Sequence, residues 1–313
     1  MKVKKGFKFV VLLIICIYVT ALSFGDAISV TEIQDSIKNY KKKVRSTPLK
    51  ISLKFQKTLF YPDYIILEIL PKNKAKVQIR DSKEEKAGKK IKTKIMDYSP
   101  QYQLPYIEYT ENVLLYTFHD RYYYERWDPQ TEVSHYIEAY DGKDTMLINT
   151  YKIAETGGVK KEGKIYPGTR ESLVLKYNPL KAWEAKYWAT KPYTASHTED
   201  GKIKIEYKNK EGNVKYIFLV SPKHYMFLSI LVEKPNFKWE VRVNNTIDIK
   251  DLSFPTDIEE LKYDYVSKKP EIFYHYKDIK YEILDISEFN AKCKLEFPEG
   301  TIHKEGKLSE LPE

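Results

Sequence analysis

"LKISLKF", residues 49–55, is the stretch that decides the fold. Leu49, Ile51, Leu53 and Phe55 alternate with Lys50, Ser52 and Lys54. A period of two marks a β-strand with one dry and one wet face, because successive side chains leave the pleated backbone on opposite sides. The stretch follows a different pattern. In "TEIQDSIKNYKKKVRS" (31–46), Ile33, Ile37, Tyr40 and Val44 recur at spacings of four, three and four, the stripe of an amphipathic helix. Thr31 with Gln34 reads as its capping box, the cationic run Lys41–Lys43 suits its carboxyl end, and Pro48 closes it.

The period of two then persists. "YPD" (61–63) reads as a turn before "YIILEIL" (64–70), and "AKVQIR" (75–80) continues the series. "DSKEEKAGKK" (81–90) has no apolar pattern and is expected as an exposed loop. "VLLYTFHDRYYYERW" (113–127) and "TEVSHYIEAY" (131–140) are dense in strand formers. Asp141-Gly142 then signals a hairpin into "DTMLINTYKI" (144–153), because glycine accepts a positive φ without a Cβ clash. A second helix is expected at "NPLKAWEAKYW" (178–188), with Asn178 as cap and Pro179 at the first position. Strands resume at 201–209, 213–220, 226–233, 237–243, 245–252 and 280–284. A last one is expected in "FNAKCKLEFPEGTIH" (289–303), where Phe289, Ala291, Cys293, Leu295 and Phe297 alternate with polar residues. About a dozen two-faced strands joined by short turns, with a leading and a middle helix, indicate an α+β fold around an antiparallel sheet. With no repeat and no composition break, residues 28–313 read as one domain.

The first residues are expected to stand outside that domain. Lys2, Lys4, Lys5 and Lys8 precede the apolar run "FVVLLIICIYVTALSF" (9–24), and small residues follow at Ser23, Gly25 and Ala27. That is the layout of a secretory signal over residues 1–25, cleaved after Gly25 or Ala27. The alternative is an uncleaved anchor that leaves the rest of the chain on the same outer side. Lipidation at Cys16 is disfavoured, since Leu13-Ile14-Ile15 lacks the small residue that processing needs. Once the signal is cut, Cys293 stands alone and the fold relies on its core, not on a disulfide.

The formal charge of +9, less the four lysines of the signal, leaves +5. Its lysines read as solvated strand faces, which speaks against nucleic-acid binding. No local metal signature appears among the six histidines, of which the nearest two, His119 and His135, are 16 residues apart. Neither a nucleophile elbow nor a phosphate loop is present. Cys293 reads as a small buried hydrophobe. The chain is therefore read as a non-enzyme without cofactor or metal; an enzyme would need a dispersed site, for which His119, His135 or His275 with carboxylates would be the candidates. The 27 Tyr, 13 Phe and 4 Trp fit either a groove for an apolar ligand or a plain aromatic core.

Four turn-forming elements occur in a telling order: Tyr140-Asp141-Gly142-Lys143, Ser221-Pro222-Lys223-His224-Tyr225, Phe254-Pro255-Thr256 and Phe297-Pro298-Glu299-Gly300-Thr301. In this the chain resembles the outer-membrane lipoprotein-sorting (LolA/LolB-like) carriers of Gram-negative bacteria, over about residues 28–305 and as a longer, divergent version. It departs from them in carrying Ser221 where Asp is usual and in its extra loops at 81–111 and 155–178. The resemblance implies a strongly curved antiparallel β half-barrel (LolA-like) with helices covering the concave face. It also implies a monomeric periplasmic carrier that transports acyl chains of lipoproteins or other lipids. The inward, ligand-lining residues would include Leu53, Phe55, Ile205, Tyr207, Trp239, Val241, Leu295 and Phe297, each on the dry side of an alternation. A stress-sensing or assembly scaffold that binds an envelope protein partner is the alternative.

Overall fold

The computed structural model describes residues 29–78, 93–130, 134–152, 158–168, 178–180, 191–264 and 268–303. The expected signal, the loop at 81–90 and all but Asn178–Leu180 of the expected second helix lie outside them. The leading helix, α1 (Val30–Arg45), buries the four residues of the stripe, Ile33, Ile37, Tyr40 and Val44. Its cap is Ser29, whose Oγ accepts the backbone N–H of Glu32 at 3.3 Å. Helix entry is thus two residues earlier than Thr31, because Ser29 and Glu32 supply the same spacing of hydroxyl and acid.

Among the described residues seventeen strands follow: β1 (Leu49–Phe60), β2 (Ile65–Leu70), β3 (Lys74–Gln78), β4 (Thr93–Ser99), β5 (Leu104–Phe118), β6 (Arg121–Trp127), β7 (Ser134–Tyr140), β8 (Asp144–Lys152), β9 (Val159–Pro167), β10 (Thr194–His197), β11 (Ile203–Lys208), β12 (Lys215–Val220), β13 (Phe227–Lys234), β14 (Phe237–Ile249), β15 (Leu252–Tyr263), β16 (Pro270–Ile283) and, after helix α2 (Ile286–Lys292), β17 (Thr301–His303). They form one sheet. From β10 to β16 each strand pairs with the next in sequence, and β1 then lies between β16 and β5. The ladder continues through β6, β7, β8 and β9 to β17, which pairs parallel with β9 while every other pair is antiparallel. "LKISLKF" is therefore the seam of the molecule. One edge of β5 is taken by β1 along its length. The other is shared between β4, at Leu104–Tyr106, and β6, at Asn112–Phe118. A short branch of β4, β3 and β2 leaves the main sheet at that point. Among the described residues the sheet is open.

Alternation sorts the core into two faces. On β6, Tyr122 and Tyr124 join the main apolar cluster, which also holds the α1 stripe and Leu49, Ile51, Leu53 and Phe55 of β1. Tyr123 between them joins a second cluster with Ala139, Met146, Ile148, Phe289 and Cys293. Because neighbouring side chains point to opposite sides, these clusters lie on opposite faces of the β6–β8 region. That region is buried on both sides, the inward face by the main core and the outward face by α2 and the segment after it.

The expected strand over 289–297 is corrected by this arrangement. Phe289 lies in α2, Cys293 caps it, and Leu295 and Phe297 follow in irregular backbone. Glu288 accepts the backbone N–H of Asp285 at 3.4 Å and opens the helix. Phe289 and Cys293, the two buried positions, are four apart, a spacing that fits one helix face as well as it fits one strand face. Burial pushes the Cys293 thiol up to about 12, against the opposing pull of Arg121 and Lys292.

Further boundaries move. Residues 93–99 and 104–118 are strands, not part of a long loop, and β9 occupies 159–167 within the second expected loop. The expected strands 237–243 and 245–252 are one strand, β14, carried through a register irregularity at Val243–Thr246 and ending at Ile249. Pro255 is tolerated inside β15 because pairing with β16 begins only at Ile258, so no partner strand needs its missing N–H on that side. The Asp141-Gly142 hairpin is borne out. Gly142 has φ 103°, and Asp141 Oδ1 accepts the N–H groups of Lys143 and Asp144, each at 2.8 Å.

Gly163 of β9 sits where Phe297 crosses the sheet. A Cβ there would lie 2.3 Å from Phe297 Cε1 and 2.9 Å from Thr301 Cγ2. Gly163→Ala is expected to cost about 1–3 kcal/mol through overpacking, measured by urea denaturation. Adding Phe297→Ala should return part of that loss, since it removes the nearer clash.

Candidate functional site

The pairing registers build the inward face in rows. Ile205 opposes Phe218, Phe218 opposes Ile230, and Ile230 opposes Val241, so these four side chains cross β11 to β14 on one face. All four are buried. Tyr207, Tyr216, Val232 and Trp239 form the adjacent row in the same way. On the seam, the Phe55 ring meets those of Tyr274 at 5.5 Å and Tyr276 at 5.1 Å. Leu53, Phe55, Ile205, Tyr207, Trp239 and Val241 all belong to or pack against the main cluster that holds the α1 stripe. Leu295 and Phe297 do not. They pack against the second cluster, on the other side of the sheet, because the segment that carries them is not a strand of it.

Polar ties fasten the C-terminal half of α1 to the sheet. The Tyr40 hydroxyl donates to the Ser253 carbonyl, Lys43 pairs with Asp251, and the Arg45 carbonyl accepts the N–H of His119. Burial holds the Tyr40 phenol far above its ordinary pKa, so it remains a donor. Beside it, the Tyr281 hydroxyl donates to the Pro255 carbonyl at 2.7 Å, and the Tyr281 ring stacks on Phe254 at 4.6 Å. Burial likewise drives its pKa well upward.

Carboxylates on the inward face include Glu138 and Glu260. Glu138 of β7 is fully buried; it accepts the hydroxyls of Tyr122 at 2.6 Å and Tyr136 at 2.5 Å. Tyr124 packs edge-on to Tyr136, and the Arg126 guanidinium lies 5.1 Å above the Tyr136 ring. Glu260 of β15 accepts the Trp239 indole N–H at 3.0 Å and the Tyr276 hydroxyl at 3.4 Å, with Lys262 Nζ at 3.3 Å. Such acceptors are paired with aromatic donors because an unpaired carboxylate in apolar surroundings is strongly disfavoured. Sequence reasoning missed both. The signal for Glu138 was available, since "YIEAY" puts it two residues from Tyr136 and Tyr140 and hence on their face.

The two candidate histidines whose side chains are described, His119 and His275, do not converge. His119 lies at the β5–β6 turn near Leu49, whereas His275 opposes Gln56, seven residues further along β1 and roughly 23 Å away. His275 Nε2 contacts Asp257 at 3.1 Å. His135 is outside the residues whose side chains are described. No group of three His, Cys, Asp or Glu residues suited to a metal occurs among the described residues, and no described helix is long and apolar enough to cross a membrane.

No family model and no curated protein matches the sequence. Solved structures similar to it include a DUF1329 family protein from Desulfovibrio piger, 10% identical, with 83% of this chain and 96% of that chain covered and a TM-score of 0.37. Another is a LolA superfamily protein from Nitrosomonas europaea, 12% identical, with 82% of this chain and 96% of that one covered and a TM-score of 0.36.

Proposed function

We propose that this chain is a non-enzymatic periplasmic carrier for acyl chains of lipoproteins or other lipids. In this reading residues 1–25 are a cleaved export signal, and 28–313 work as one monomeric domain. The observation that carries it is the shared interior. The four apolar side chains of α1 are buried in the same cluster as Leu53, Phe55, Ile205 and Val241, with Tyr207 and Trp239 packed against it. An acyl chain is chemically equivalent to that stripe. It can take the stripe's place when α1 swings aside about its tied C-terminal half, so that apolar surface is exchanged and little is exposed to water.

Affinity in such a site scales with buried methylenes. Each is worth roughly 0.8 kcal/mol, so lengthening a fatty acid by one CH₂ should tighten binding about fourfold until the face is filled. The check is titration of saturated fatty acids of increasing length against a displaced fluorescent fatty acid, together with lipid extraction and mass spectrometry of the purified protein. Absence of any acyl species, with no uptake and no length dependence, would sink the reading.

A specific observation favours a second reading, a scaffold for an envelope protein partner. On the branch, Leu67 and Ile69 of β2 and Ile95 of β4 are 49%, 61% and 68% exposed, and β3 is the one strand with which β2 pairs among the described residues. Exposed apolar residues beside an open strand edge suit strand addition by a protein.

A further inference from the structure

The outward face carries a depression that the acyl reading does not use. Its volume is about 590 Å³, and its lining residues come from β14, β15, β16, β1, β5 and β6 in turn. Register irregularities lie in its floor, between Ser52 and Lys54 on the β1–β16 pair and between Val243 and Thr246 on the β14–β15 pair. Asp278, opposite the first, has φ 53°. Lys54, Asn112 and Trp127 oppose one another in register and alternate with the inward Leu53, Val113 and Arg126, so they face away from α1.

The lining has a definite chemical character. Its charges balance: Lys54 pairs with Asp278 at 3.3 Å, and Lys280 shares the lining with Asp257, which is held by His275 at 3.1 Å and by the Asn244 amide at 2.7 Å. An anion would meet the two aspartates and a cation the two lysines. The side chains of Asn112, Asn245, Thr256, Lys280 and Trp127 have no hydrogen-bond partner among the described residues. Amide, hydroxyl and ammonium groups thus line the groove with donors and acceptors in hand, and a half-buried indole stands on β6. Where they line the groove, β1, β5 and β6 are paired on both sides, so recognition there falls to side chains; at Thr256 and Asp257 the pairing of β15 with β16 has not yet begun. Five interstrand steps give the groove a length of about 24 Å, suited to a chain-shaped ligand.

We propose that this groove binds a neutral oligosaccharide. The Trp127 indole stacks on the apolar face of one sugar ring, and Asn112, Asn245, Thr256 and Lys280 hydrogen-bond the hydroxyls of the others. The side chains proposed to bind the sugar point away from α1, whereas Leu53 and Val113, which also line the groove, belong to the inward cluster.

The test is titration calorimetry of the purified full chain with neutral linear oligosaccharides of the gluco, manno, galacto and N-acetylglucosamine series, with tryptophan fluorescence as a second readout. At least one series should bind, more tightly as the chain lengthens. Trp127→Ala should weaken it about tenfold, and Asn245→Ala several-fold. Should Trp127→Ala fail to fold, Asn245→Ala and Lys280→Ala decide, since both positions are exposed. No binding in any series, binding unaffected by these variants, or binding of extended peptides in place of sugars overturns the proposal. Fatty-acid uptake should be unchanged in all three variants.

Discussion

Ile37→Asp is expected to strip α1 from the sheet. Ile37 is 2% exposed at the centre of the stripe, and the face it meets is apolar. A carboxylate there would lie in a site that cannot solvate it, a penalty of several kcal/mol, and the lost side chain removes a further ~2 kcal/mol of burial. Undocking is the lower-energy escape. The chain then gives up the burial of Ile33, Tyr40 and Val44, roughly 1.5–3 kcal/mol for each, less the order regained by a freed segment. A strongly raised signal from a hydrophobic dye and protease cleavage within 29–48 are expected, while the sheet keeps its far-ultraviolet signature. Ile37→Ala should give a graded loss of about 2–5 kcal/mol without undocking. If α1 guards a lipid-binding face, the Asp variant should also take up a fluorescent fatty acid faster. A variant that unfolds as one unit, sheet included, would show that α1 is an inseparable part of the core and would remove the displacement step from the carrier reading.

Glu138→Ala is the second large effect. It leaves the hydroxyls of Tyr122 and Tyr136, both buried, without their acceptor. Each stranded hydroxyl costs about 1–3 kcal/mol, giving a total loss of about 2–6 kcal/mol in urea denaturation. Glu138→Gln keeps an oxygen acceptor and fills the same space, and should lose about 1 kcal/mol. Equal losses in the two variants would mean that packing, not the pair of hydrogen bonds, explains the position. A loss under 1 kcal/mol in the Ala variant would mean that the phenols find other partners. In the carrier reading the comparison bears on function as well as stability, because a carboxylate on the inward face would set where a bound acyl chain can lie.

Much of this was legible in the amino-acid order, and the reasons are local. Side chains alternate about a pleated backbone and recur every three or four residues on a helix, so "LKISLKF" is a two-faced strand and Ile33, Ile37, Tyr40 and Val44 are one stripe wherever they end up. Asp141-Gly142 specifies its hairpin because a carboxylate and a glycine satisfy that turn without help from afar. The six inward residues from β1, β11 and β14 were legible on the same ground.

The tertiary structure alone decided which faces meet. Nothing near residue 49 says that β1 will run between β16, more than two hundred residues later, and β5; that choice belongs to the burial of whole faces. It also decided the fate of Phe289 and Cys293. Their spacing satisfies strand and helix alike, and the outward face of β6–β8 selects the helix that covers it. Leu295 and Phe297 were lost to the inward face for the same reason, and the acceptor role of Glu138 emerged only when β6 brought Tyr122 beside β7. Local geometry tells each residue which way to point, whereas only long-range pairing tells it what it will touch.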